Sequence, residues 1–212
     1  GIDPEQAVTD FRARIAHCEQ AYEPIEANDV SFVKLIDVGK RVEIQHVRGY
    51  IQGRITQFVM NLHITPRTIW LTRHGESTAN MAGVLGTDMP LTSRGAAYAQ
   101  ALNTFISNQD SAPGSIWTST LQRTIQTAAP LSQAAHQLKV LDEIDAGICD
   151  GMTYKQIAEQ MPGEYARRKA DKLTYRYPRG ESYEDVISRL DPLILELERQ
   201  QQPILIVGHN AI

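Results

Sequence analysis

Apolar side chains at Ala7, Phe11, Ile15, Cys18 and Tyr22 recur three or four residues apart, the spacing of one helical face. Asp3 can cap that helix, Pro4 suits its first turn, and Gln6 completes a capping box. Glu23-Pro24 ends it. Residues 32–47 are rich in β-branched side chains and read as strand, interrupted at Gly39-Lys40. Helical spacing returns through Ile51, Ile55, Phe58, Val59 and Leu62. This first third is expected to be well packed and chemically quiet.

A different rhythm begins after Pro66. Ile69-Trp70-Leu71 reads as a short strand, followed by a helix over Ser93 to Ser107. Ile116-Trp117-Thr118 is a second strand with a helix from about 120, and Val140-Leu141 a third strand. Short helices are expected from Thr153 and Pro162, then a long one capped by Ser182 with apolar Val186, Ile187, Leu190, Ile194 and Leu197. Pro192 falls inside it and predicts a kink. Ile204-Leu205-Ile206-Val207 is a fourth strand. Strands alternating with helices predict an α/β fold, a three-layer α/β/α arrangement around a mostly parallel sheet.

The reactive residues fall where strands end. Arg73-His74-Gly75 follows the first strand of this part, Gly208-His209 the last, Arg123 the second and Glu143 the third. The carboxyl ends of strands form the ligand crevice of open α/β sheets, so these side chains converge on one edge. A neutral histidine is a nucleophile towards phosphorus, and arginine forks match phosphate oxygens. A carboxylic acid can protonate the departing oxygen. The set suits phosphoryl transfer with no metal and no cofactor. His17, His46, His63 and His136 have no such context and receive no role.

Composition narrows the partners. The 212 residues carry a formal charge of -4, 42% hydrophobic and 22% charged residues. That balance disfavours nucleic acid and a disordered chain. No apolar run reaches the ~20 residues that cross a bilayer, so no membrane partner is expected. Cys18 and Cys149 read as free thiols in a reducing cytosol, hence a cytoplasmic protein. The absence of a basic-apolar leader and of Met at position 1 suggests that the chain starts within a longer parent. Nothing in the pattern specifies an oligomeric state.

Leu71-Thr72-Arg73-His74-Gly75-Glu76-Ser77 resembles the signature of the histidine phosphatase (phosphoglycerate mutase-like) superfamily. Further blocks resemble the bisphosphatase half of the 6-phosphofructo-2-kinase/fructose-2,6-bisphosphatase family. They are Ile64-Thr65-Pro66-Arg67, Trp117-Thr118-Ser119 with Arg123-Thr124-Ile125-Gln126-Thr127, and Glu143-Ile144-Asp145-Ala146-Gly147. Tyr175-Arg176-Tyr177-Pro178 with Gly180-Glu181-Ser182-Tyr183-Glu184-Asp185 adds another.

The resemblance implies a phosphoglycerate mutase-like phosphatase domain over residues 66–212, preceded at 1–65 by the tail of a kinase half and a linker. It implies fructose 2,6-bisphosphate as substrate, fructose 6-phosphate and phosphate as products, and a part in glycolytic control. His74 would carry the phosphoryl group, with Arg73, Asn80, Arg123 and His209 around it and Glu143 as acid, then base. Tyr154, Arg168, Lys172 and Tyr183 would hold the sugar and its 6-phosphate, and Gly86 would bring backbone close. Arg167, Arg168, Lys169 and Lys172 form a basic cluster that fits this role. Asn210 stands where the family commonly carries glutamine. The family continues beyond the position of Ile212, so the phosphatase domain is expected to be incomplete at that end. No glycine-rich loop ending in Lys-Ser or Lys-Thr is present, so kinase activity is not expected of this chain alone. A mutase-type phosphotransferase, another sugar phosphatase, and a non-catalytic phosphosugar-binding partner of a kinase half are the alternatives.

Overall fold

The computed structural model describes residues 3–25, 30–37, 40–62 and 65–212, and the chain divides into two compact units at Met60/Asn61. Gly39, His63 and Ile64 lie outside the described residues. In the first unit, α1 (Pro4–Ala21) starts at Asp3, whose carboxylate accepts from the Glu5 N–H. Gln6 does not close a capping box; its amide donates to Asp10 one turn on. β1 (Phe32–Ile36) and β2 (Arg41–Gln45) pair antiparallel, and α2 (Tyr50–Asn61) follows.

The expected packing of this unit is not observed. No residue of α1 is buried: Phe11 is 63% exposed, and Tyr22, just past its end, 69%. In α2 only Thr56 is buried, while Ile51 and Ile55 face outwards. The helical spacing is right. Two helices and a hairpin are too little chain to cover both apolar stripes.

The second unit carries a four-stranded sheet in the order β3-β6-β4-β5, formed by β3 (Ile69–Arg73), β4 (Ser115–Thr118), β5 (Ala135–Gln137) and β6 (Ile204–Gly208). All its pairings are parallel. β6 is buried throughout and its side chains alternate. Leu205 and Val207 pack with Leu102 and Ile106 of α4 (Ser93–Ser107) and Ala128 of α5 (Gln122–Ala128). Ile204 and Ile206 pack instead with Trp117, Leu141 and Leu193 of α8 (Tyr183–Arg199). Helices on both faces of a parallel sheet give the expected three layers.

Val140-Leu141 is not a strand. Lys139–Leu141 forms a single 3-10 turn, and the pairing residues are Ala135–Gln137 just upstream. Leu141 leaves the sheet edge to fill the core beside Leu193, so burial, not strand pairing, explains its apolar character. α8 is capped by Ser182 and Asp185 acting reciprocally, and it runs through Pro192 as one helix. Of its predicted stripe, Val186, Leu190 and Leu197 face inwards with Leu193, while Ile187 and Ile194 are exposed. Between β3 and α4 lies the short α3 (Thr78–Ala82); α6 (Tyr154–Gln160) and α7 (Pro162–Ala170) build a small satellite core around Ile157, Tyr177 and Cys149.

Candidate active site

Strand register builds the centre. Arg73 pairs with Gly208, so the next residues out of these adjacent parallel strands are His74 and His209. Neighbouring strands lie about 4.8 Å apart, and the two rings stand 5.1 Å apart between centroids. The His74 N–H donates to the Gly208 carbonyl, which fixes where β3 ends. His74 Nδ1 lies 2.6 Å from the Gly75 carbonyl. A carbonyl only accepts, so the proton is assigned to Nδ1 and the lone pair to Nε2. The Gly75 N–H in turn donates to Thr127 Oγ1, and a Cβ on Gly75 would meet the Gly95 carbonyl at 2.5 Å. Only glycine lets the loop after His74 lie against α4.

Arg123 is buried at the start of α5, the helix following β4 on the far side of β6. Its Nε faces His74 Nε2 and His209 Nδ1 at 3.2 Å each, and its Nη1 donates to the Thr87 carbonyl at 2.7 Å. Burial works against the Arg123 charge, while Glu143 and Asp88 support it. Burial also lowers the His74 pKa to about 4, a shift opposed by the Gly75 hydrogen bond and reinforced by Arg123 and Arg73. His209 is lowered further, again chiefly by burial and then by Arg123. Both rings are neutral at neutral pH, the state a nitrogen nucleophile needs.

Glu143 follows the 3-10 turn after β5. Its carboxylate accepts from the backbone N–H groups of Ile144, Asn210 and Ala211. Gly86 and Thr87 both have left-handed backbone, with φ of +63° and +53°. A Cβ at Gly86 would overlap Asp150 Oδ1, the atom that accepts from the Thr87 N–H. Asn80 spends its carbonyl oxygen on the Ser77 cap of α3, which leaves its NH₂ as the free end.

A cavity of about 310 Å³ joins these groups. Its walls include Arg73, His74, Asn80, Gly86, Arg123, Glu143, Tyr154, Arg168, Tyr183 and Asn210. Arg168 lies over the Tyr154 ring at 4.7 Å and donates to the Tyr177 hydroxyl. His209 is not a wall residue; it is buried and meets the cavity through Arg123 and the His74 ring.

Lys172 does not reach the cavity. It is exposed in the turn after α7, where the Asp171 carboxylate accepts from the N–H groups of Leu173 and Thr174. Of the basic cluster only Arg168 lines the cavity; Arg167 pairs with Glu164 on the helix surface. Sequence reasoning gave no role to Ser119 and Tyr177, which meet His209 and Arg168, or to Thr127 and Asp150, which accept from the backbone of Gly75 and Thr87 next to His74 and Gly86. The signal for Ser119 and Thr127 was a run of hydroxyls next to a buried strand and helix. Among the described residues no group of three or more His, Cys, Asp or Glu side chains could hold a metal ion. No helix there is long and apolar enough to cross a membrane.

Two neutral imidazoles, two arginines and a carboxylate thus gather at the carboxyl edge of a parallel α/β sheet. The chain belongs to the histidine phosphatase superfamily (branch 1), whose sequence profile matches residues 69–212. The 6-phosphofructo-2-kinase profile matches residues 1–66. Bifunctional 6-phosphofructo-2-kinase/fructose-2,6-bisphosphatases are similar along the whole chain. The Arabidopsis thaliana enzyme is 48% identical over 100% of this chain and 29% of its own length. The Gallus gallus enzyme is 47% identical over 100% and 46%, and isoform 4 from Homo sapiens 46% identical over 99% and 45%. The chain thus spans less than half the length of these relatives. Among solved structures, an α-ribazole phosphatase from Shigella flexneri superimposes with a TM-score of 0.62 at 28% identity, covering 66% of this chain and 73% of its own. A mycobacterial glucosyl-3-phosphoglycerate phosphatase reaches 0.61 at 25% identity, covering 69% and 77%.

Proposed function

We propose that the second unit hydrolyses the C-2 phosphate of fructose 2,6-bisphosphate through a phosphohistidine. His74 Nε2 attacks phosphorus while the bond to the sugar's C-2 oxygen breaks and Glu143 protonates that oxygen. Water then attacks the phosphorus, Glu143 takes its proton, the P–N bond breaks, and phosphate leaves with His74 restored. Arg73 and Arg123 stabilise the charge of the transferring group, Asn80 offers its amide to it, and His209 flanks it. Tyr154, Arg168 and Tyr183 line the part of the cavity suited to the sugar and its 6-phosphate, with Gly86 and the Asn210 amide at its edge. Residues 1–65 are the tail of a kinase half in the parent chain. The unpaired thiols of exposed Cys18 and buried Cys149 support a cytoplasmic setting.

The observation that carries this reading is the 2.6 Å approach of His74 Nδ1 to the Gly75 carbonyl, which assigns the ring proton to Nδ1 and leaves the Nε2 lone pair beside the Arg123 guanidinium. Incubation with substrate labelled at the 2-phosphate, followed by an alkaline quench, should trap label on wild-type protein and none on His74→Ala. Release of orthophosphate without an isomerised ester separates hydrolysis from a mutase reaction. Label or turnover in His74→Ala would overturn the mechanism.

A further inference from the structure

His209 is held on its far side by a closed chain of hydroxyls. Its Nε2 lies 2.7 Å from Ser119 Oγ, which lies 2.8 Å from Thr124 Oγ1. Ser119 Oγ also accepts from the Leu121 N–H, and Thr124 Oγ1 donates to the Leu121 carbonyl at 2.9 Å. Ser119 and Thr124 are both fully buried.

Counting protons leaves one arrangement. Arg123 Nε–H is a donor only, so His209 Nδ1, which faces it, must be the acceptor. The ring proton therefore sits on Nε2 and is donated to Ser119. Ser119 then accepts from His209 and Leu121 and donates to Thr124, whose own proton goes to the Leu121 carbonyl. Each hydroxyl proton then has an acceptor, and the single Arg123 Nε–H is shared between His209 Nδ1 and His74 Nε2. The opposite tautomer would set N–H against N–H at 3.2 Å.

We propose that Ser119, backed by Thr124, is a positioning residue that fixes the His209 ring with its proton on Nε2 and its Nδ1 turned to the phosphoryl site. Register explains how it gets there: Thr118 pairs with Val207, so Ser119 leaves β4 one step before His209 leaves β6. Held this way, the ring keeps its Nδ1 lone pair towards the Arg123 Nε–H at 3.2 Å, and that contact fixes both groups beside His74. The effect on rate rests on the phosphatase reading; the effect on the ring does not.

The test is ¹⁵N NMR of the histidine-labelled 212-residue chain, with phosphate release from fructose 2,6-bisphosphate measured in parallel. The wild type should show a protonated Nε2 and an unprotonated Nδ1 on His209. Ser119→Ala should lose that single tautomer and slow kcat roughly 10- to 100-fold with KM nearly unchanged, the scale of removing one preorganised polar partner. Ser119→Thr keeps the hydroxyl and should restore both signals, which a purely structural defect would not predict. A wild-type His209 protonated on Nδ1, or a Ser119→Ala protein with an unchanged tautomer and rate, overturns the proposal. The expected wild-type tautomer without any phosphate release would sink the phosphatase reading and leave the assignment of Ser119 standing.

Discussion

A buried imidazole held neutral couples catalysis to stability. His74 titrates at about 4 in the folded protein against 6.5 ordinarily, with burial as the main cause. Between these values the unfolded chain binds the extra proton and the folded one does not. Stability is therefore complete above about pH 6.5 and is lost as the pH falls towards 4, by about 3 kcal/mol from His74 alone. His209, shifted the same way, steepens the loss. Urea midpoints measured from pH 7 to pH 4.5 should fall, and His74→Ala should flatten part of that slope. Glu143→Gln tests the acid. The amide keeps one acceptor oxygen but turns an N–H towards one of the backbone donors that the carboxylate now satisfies. A kcat roughly 10²- to 10⁴-fold lower with KM within about threefold is expected from steady-state kinetics. The paired histidines, Arg73, Arg123 and Glu143 were legible in the chain because strand ends deliver side chains to one edge. Ser119 and Tyr177 were not, because a hydroxyl gains its meaning only from the partner that folding brings to it.

Elements set the reach of these side chains, and α8 does so for Glu143. Arg189 donates to the Val140 and Asp142 carbonyls and to Glu181, whose carboxylate accepts from the Asp145 N–H. The backbone on both sides of Glu143 is thus tied to one guanidinium. Arg189→Ala should release this segment and lower kcat roughly 10- to 100-fold, since about 1 Å of misplacement can cost that much. Arg189→Lys should recover little, because one ammonium cannot span three acceptors. Stopped-flow single-turnover rates, compared with circular dichroism spectra, separate this from unfolding. The caps at Asp3, Thr153 and Ser182 could be read from a few neighbouring residues, and the structure keeps all three as helix starts. The third strand could not. Valine and leucine at 140–141 favour a strand locally, but the sheet edge is formed by Ala135–Gln137, whose pairing to β4 has no local signal. Lys172 lies outside the cavity lining, in the turn where Asp171 accepts from Leu173 and Thr174, a turn that no helical spacing announces.

At the scale of the whole chain, the proposed chemistry lies in the second unit, and the first has an exposed apolar stripe of its own. The sheet, the cavity and every proposed catalytic residue lie beyond Asn61, with core clusters packed on both faces of β6. The first unit instead exposes Phe11, Ile15 and Tyr22 along one stripe of α1, around a shallow groove shared with Cys18. A contiguous apolar stripe of that kind favours association and dye binding. It contributes nothing to the second unit's core clusters. Replacing Phe11 and Ile15 together by lysine should therefore cut the fluorescence of a bound hydrophobic dye by roughly half. Phosphate release should stay within about twofold, because no group in the cavity is touched. A rate that collapsed with the dye signal would mean that the second unit's site depends on the α1 surface, and the separation of roles drawn here would fail.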